Sequence, residues 1–162
     1  FIITGGTIDS EYFPPHETAE PNKTTIIPEY INVKVRPHLI TQFETICMLD
    51  SGDITDEIRQ KIVQTIKDSA LQKVIITHGT NTMTETAAYL HAQLANANKT
   101  IVLTGSMIPL KEFAMSDAGF NLGYAIAQAQ KLETGVYICM NAHTFKAGHV
   151  TKNRAEARFE ER

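Results

Sequence analysis

The chain has 162 residues, 43% hydrophobic and 20% charged, with 15 Lys and Arg against 18 Asp and Glu. That length buries a core without disulfide staples, and one domain over 1–162 accounts for it. The faintly acidic balance and dispersed basic residues argue against a nucleic-acid surface, and the apolar runs are too short to cross a bilayer.

No signal peptide is visible. Cys47 and Cys139 lie in apolar strand-like runs, Ile46-Cys47-Met48-Leu49 and Tyr137-Ile138-Cys139-Met140. They read as buried, reduced thiols, which points to a cytoplasmic protein.

Taken in chain order, Phe1-Ile2-Ile3-Thr4 is a short strand that stops at Gly5-Gly6 and then presents Thr7. Paired glycines let the chain turn sharply and let a ligand approach the backbone, so a hydroxyl is offered where parallel sheets bind ligands. Residues 9–30 are rich in Pro, Thr and Glu and read as a long irregular lid, longer than compact domains usually leave unstructured. Tyr12 in that stretch is either a phenolic acid or base, or an aromatic covering apolar surface. Residues 31–35 alternate like a strand, and 43–49 read as another.

Residues 55–71 place Ile58, Ile62, Val63 and Ile66 on one helical face, with Thr55 and Ser51 as candidate caps. Val74-Ile75-Ile76 is a buried strand, and 82–94 a helix with Met83, Ala87, Leu90 and Leu94 inward. Ile101-Val102-Leu103 is a strand, Ser116 a candidate N-cap for a helix to about Lys131, and 136–140 the last clear strand. The tail 154–162 fits either a helix or a solvated end. Strands alternating with helices predict an α/β fold with a mostly parallel sheet covered on both faces.

Hydroxyl or carboxamide residues stand at the strand-to-helix junctions: Gly5-Gly6-Thr7, Asp50-Ser51-Gly52-Asp53, Thr77-His78-Gly79-Thr80-Asn81-Thr82 and Thr104-Gly105-Ser106. In a parallel sheet these junctions converge on one edge. A rim of small hydroxyls and helix N-terminal N–H groups suits a small anionic substrate. The glycines match neither dinucleotide nor phosphate-loop spacing, so the rim is a poor cradle for a nucleotide. No His, Cys and Asp cluster has metal-ligand spacing. Ser51, Thr80 and Thr82 also fit plain helix caps, and His78 fits a core histidine as well as a base. A threonine nucleophile needs a proton acceptor, and Lys152 is a candidate if burial lowers its pKa.

These segments together resemble bacterial-type L-asparaginases: Thr4-Gly5-Gly6-Thr7-Ile8, then Thr77-His78-Gly79-Thr80-Asn81-Thr82-Met83 with Glu85-Thr86-Ala87. Leu103-Thr104-Gly105-Ser106-Met107, Ser116 to Leu122, Gly135-Val136-Tyr137 with Asn141, and Val150-Thr151-Lys152 follow in family order. The resemblance implies a Rossmann-like or flavodoxin-like N-terminal domain and cofactor-free hydrolysis of asparagine to aspartate and ammonia through an acyl-enzyme. Thr7 is then the nucleophile and Tyr12 its proton relay. Thr80 and Lys152 form a second hydroxyl–amine set, and Ser51 holds the substrate carboxylate. Gly6, Gly52, Gly79 and Asn81 line the substrate pocket.

Asn81 replaces the aspartate usual in the family at the substrate's ammonium, and Gly52 replaces a side-chain contact. The length is similar to that of short single-domain members, and a homo-oligomer, dimer or tetramer, is expected. Two other readings follow from Asn81 and Gly52: an amidase for another small amide such as glutamine, or an amino-acid-binding protein without turnover.

Overall fold

A computed structural model describes residues 1–111 and 114–162. The first strand, β1 (Ile2–Gly5), leads into a 3-10 turn at Thr7–Asp9. Strands β2 (Ser10–Phe13) and β3 (Thr18–Pro21) pair antiparallel as a hairpin. Helix α1 (Ile27–Glu29) runs directly into a π-helical segment, Tyr30–Val35. Then come β4 (Glu44–Leu49), α2 (Asp56–Asp68), β5 (Lys73–Thr77), α3 (Met83–Leu94), β6 (Thr100–Thr104), α4 (Ala118–Lys131) and β7 (Gly135–Met140). Short strands β8 (His143–Lys146), β9 (Val150–Asn153) and β10 (Arg158–Glu161) complete the chain.

The main sheet has the order β4-β1-β5-β6-β7-β8 among the described residues, parallel except for β8. Setting aside the hairpin, the parallel strands run 2-1-3-4-5 in chain order. This is the flavodoxin-like arrangement, and its switch point lies between β1 and β5. Alternation along the strands sorts the core onto two faces. Ile2, Ile76, Ile101, Leu103 and Ile138 pack under the apolar stripes of α2 and α3. On the other face Ile3, Ile8, Ile27 and Ile31 meet Ala118 and Leu122 of α4, while Ile75, Val102 and Cys139 meet Ala125 and Ala129.

Helices α2 and α3 begin where the sequence predicts. Thr55 caps α2 by accepting from the Ile58 N–H at 3.4 Å, with Asp56 and Glu57 in the first turn facing the helix dipole. Ser116 is one residue early. Asp117 is the α4 N-cap, while Ser116 Oγ accepts from the Ala118 N–H and donates to the Ile108 carbonyl.

Three expectations change. The stretch 9–30 is not irregular: residues 10–21 form the hairpin, because Pro14-Pro15 makes a 3-10 turn and Glu17 takes the left-handed conformation. Residues 31–35 are helical rather than extended. Their apparent alternation leaves Val33 58% and Val35 46% exposed, while Ile27 and Ile31, four apart, are the buried pair. In the tail, which by sequence fits either a helix or a solvated end, Arg158–Glu161 is strand β10, antiparallel to β9 and anchored by the buried Phe159. Cys139 is buried as expected, whereas Cys47 is only partly so, and both are unpaired.

Candidate active site at the sheet switch point

Two glycines join the loops that leave β1 and β5. Gly6 has φ 76°, and a Cβ placed on it would lie 2.3 Å from the Gly79 N and 2.4 Å from the Gly79 Cα. A Cβ on Gly79 would in turn lie 2.7 Å from the Ser51 Cβ. Side chains are excluded at both positions, so the turns after β1, β4 and β5 stack backbone to backbone. The Thr4 hydroxyl donates to the Thr77 carbonyl at 2.8 Å and ties the two strand ends together. Thr7 and Thr80 each follow one residue after the Gly6–Gly79 contact. Chain geometry therefore holds their Cα atoms within about 12 Å. Thr7 is half-buried, with the wholly buried Ile8 behind it as an anchor.

Thr80 is 6% exposed, and its hydroxyl accepts a hydrogen bond from Lys152 Nζ at 2.7 Å. The same amine donates to Asn81 Oδ1 at 3.1 Å. Lys152 comes from β9, seventy-two residues downstream, held in register opposite the buried Phe159. Burial first, and then repulsion from Arg154, lower the Lys152 pKa, while Asp50 opposes them. Held by two neutral oxygens, this amine is more easily deprotonated than an ordinary surface lysine.

Ser51 is buried, and its Oγ accepts from the Thr82 N–H at 3.3 Å while the Thr82 hydroxyl donates to the Ser51 carbonyl at 2.6 Å. The serine thus braces the N-terminus of α3, doing from a neighbouring loop what a cap does locally. Gly52 is exposed, and its N–H donates to Asp50 Oδ1 at 2.8 Å. Tyr12 sits on β2 opposite Ala19 and is 47% exposed. Among the described residues no hydrogen bond links its hydroxyl to Thr7.

His78 belongs to the core. It is fully buried, its Nδ1–H donates to the Gly79 carbonyl at 2.8 Å, and its Nε2 has no partner among the described residues. Burial lowers its pKa to about 4, so the ring is neutral and out of reach of a substrate.

The residues that sequence reasoning missed are supports. Asp117 accepts from the backbone N–H groups of Met107 and Ile108, and Asn121 donates to the Gly105 carbonyl and to Asp117. Asn121 also accepts from the Asn141 N–H, which fastens the β6 and β7 loops to α4. Asp9 is fully buried and bonds across the foot of the hairpin. Its burial has no signal in the sequence, where Asp9 is a lone acidic residue after a turn. Cavities of about 380 and 270 Å³ open at the opposite edge, lined by Phe1, Gln42 and Lys73 where the strands begin, away from this rim.

Known proteins match this chain in sequence and in fold. The chain is 30% identical over 161 residues to L-asparaginase 1 of Escherichia coli K12, covering 94% of this chain and 46% of that protein. It is 38% identical over 109 residues to the glutaminase-asparaginase of Acinetobacter glutaminasificans, covering 63% of this chain and 32% of that protein. The structure superposes with a TM-score of 0.80 and 26% identity on the "Probable Cytoplasmic L-asparaginase from Campylobacter jejuni", covering 99% of this chain and 50% of that one. The chain spans about half the length of these relatives or less. The family model described as "Asparaginase, N-terminal" matches residues 1–159, and the chain belongs to the asparaginase family.

Proposed function

We propose that this chain carries the catalytic residues of an amidohydrolase that releases ammonia from L-asparagine. The observation that carries the reading is the Lys152–Thr80 hydrogen bond of 2.7 Å beside the Gly6–Gly79 contact, at the switch point of the sheet. Thr7 Oγ attacks the side-chain carboxamide carbon and gives up its proton, which Tyr12 relays to the leaving nitrogen. The C–N bond then breaks and ammonia leaves, with an ester on Thr7. A water molecule, activated by the Thr80–Lys152 set, attacks that ester to release aspartate and restore the hydroxyl. Ser51 fixes the approach to the α-carboxylate by holding the α3 N-terminus, whose dipole favours an anion. Gly6, Gly52 and Gly79 keep the floor of the pocket free of side chains.

The names of relatives at this level of identity, together with the matching fold, support asparagine over unrelated amides. One observation favours a second reading. Asn81 is neutral and its Oδ1 is engaged by Lys152, so charge pairing to an α-ammonium is missing at this position. An amide without that ammonium is the alternative substrate. We place the protein in the cytoplasm as a homo-oligomer, in keeping with its two unpaired cysteines. No helix among the described residues is long and apolar enough to cross a membrane.

The test is ammonia release over asparagine, glutamine and succinamate. Fastest turnover of asparagine supports the first reading, and faster succinamate turnover the second. Binding of aspartate without any ammonia release would overturn both.

A further inference from the structure

We propose that Asp9 is a positioning residue, a clamp that welds the exit of the β2–β3 hairpin to the turn bearing Thr7. Asp9 is 0% exposed, and its carboxylate is filled by donors from the far side of the hairpin. Oδ1 accepts from Asn22 Nδ2 at 3.1 Å and from the Ile26 N–H at 3.0 Å, and Oδ2 accepts from the Thr25 hydroxyl. The backbone repeats the pattern: the Asn22 N–H donates to the Asp9 carbonyl at 2.9 Å, and the Asp9 N–H donates to the Gly6 carbonyl at 3.0 Å. Ser10 Oγ adds a bond to that same Gly6 carbonyl at 2.8 Å.

Both feet of the hairpin therefore converge on one buried side chain, two residues from the nucleophile. Between the feet, β2 and β3 are paired through Tyr12 and Ala19, so Tyr12 is fixed to the frame that holds Thr7 rather than to a free loop. Among the described residues, β2 is further held near its start by an ion pair between Glu11 and Lys111 of the loop after β6, and the turn by a hydrogen bond between His16 and Glu20 of β3. Both contacts are exposed and contribute little. A buried carboxylate with all its donors in place is costly to disturb, because each donor left behind loses its acceptor away from water. Rigidity of the hairpin is thus concentrated at Asp9.

This inference rests on the reading of Tyr12 and Thr7 as catalytic, but its physical content is measured separately. Hydrogen exchange is compared between wild type, Asp9→Asn and Thr25→Val, alongside kcat and KM for asparagine. Thr25→Val keeps the carboxylate and removes one donor, so it remains readable if Asp9→Asn does not fold. Exchange of the 10–21 amides is expected to quicken at least tenfold in the variants while β5 and β6 amides are unchanged. kcat is expected to fall at least tenfold for Asp9→Asn, with KM within about threefold. The swap Asp9→Asn with Asn22→Asp, which restores a carboxylate at the clamp, recovers part of both. Unchanged hairpin exchange overturns the clamp. So does quickening spread evenly over the core strands, since Asp9 would then be merely structural. An inactive wild type would sink the hydrolase reading and leave the exchange result to judge the clamp alone.

Discussion

Replacing Asn81 by Asp puts a carboxylate about where the amide oxygen now accepts from Lys152, 3.1 Å from the amine. Two unit charges at that distance attract by about 1.3 kcal/mol at the dielectric of water and about 5 kcal/mol at an effective dielectric of 20. Lys152 is partly solvent-exposed, so the lower end applies, and about 1.4 kcal/mol is a tenfold change in proton affinity. The sign follows from the charge. A carboxylate favours the ammonium, so the neutral amine appears only at higher pH. If free Lys152 amine is needed, the acid limb of kcat/KM moves up by about one pH unit. The same carboxylate also supplies a partner for the substrate's α-ammonium, worth about 1–3 kcal/mol, so the plateau above the limb rises for asparagine. Succinamate, which lacks the ammonium, should show the displaced limb without the higher plateau. The assay is ammonia release from pH 6 to 10 with both amides. A limb that stays in place would refute Lys152 as the titrating group, and an unchanged plateau would show that the ammonium is recognised elsewhere.

Thr80→Val removes the hydroxyl that accepts from Lys152 and should lower kcat about a hundredfold while leaving the melting temperature within a few degrees. Gly6→Ala forces a Cβ to within 2.3 Å of the Gly79 N at a positive φ. It should cost more than about 3 kcal/mol, seen as loss of the cooperative urea transition or a large fall in its midpoint. His78 titrates near 6.5 when unfolded and at about 4 when folded. Its contribution is present above pH 6.5 and is lost as pH falls through 4, about 3 kcal/mol in all. His78→Gln should flatten that part of the stability–pH curve, and an unchanged slope would place the acid sensitivity on other groups.

The parallel strands and their helices could be read from the sequence because periodicity and packing agree there. Ile62, Val63 and Ile66 share one stripe, and Val74 to Ile76 are apolar without a break, as a strand covered on both faces must be. Residues 31–35 misled because Ile31, Val33 and Val35 alternate by composition, while the buried partner of Ile31 is Ile27, one helical turn earlier. Strands β9 and β10 carry few apolar residues, and their pairing depends on contacts that no local pattern reveals. The site divides in the same way. Gly6, Thr7, Gly79 and Thr80 stand at strand ends and were legible as a rim. That Lys152 meets Thr80 across seventy-two residues came only through resemblance. Ser51 reads from the sequence as a substrate ligand or a local cap, and its bonds to Thr82, which brace the neighbouring helix, have no local pattern to announce them. Asp9 went unnoticed because a lone acidic residue after a turn has no periodic signature.

The most direct measurement is to mix the protein with asparagine, quench in acid within milliseconds and map the acylated peptide by mass spectrometry. An aspartyl ester on the peptide carrying Thr7, absent in Thr7→Ala, is the predicted result. An ester on Thr80, or ammonia release undiminished in Thr7→Ala, would contradict it.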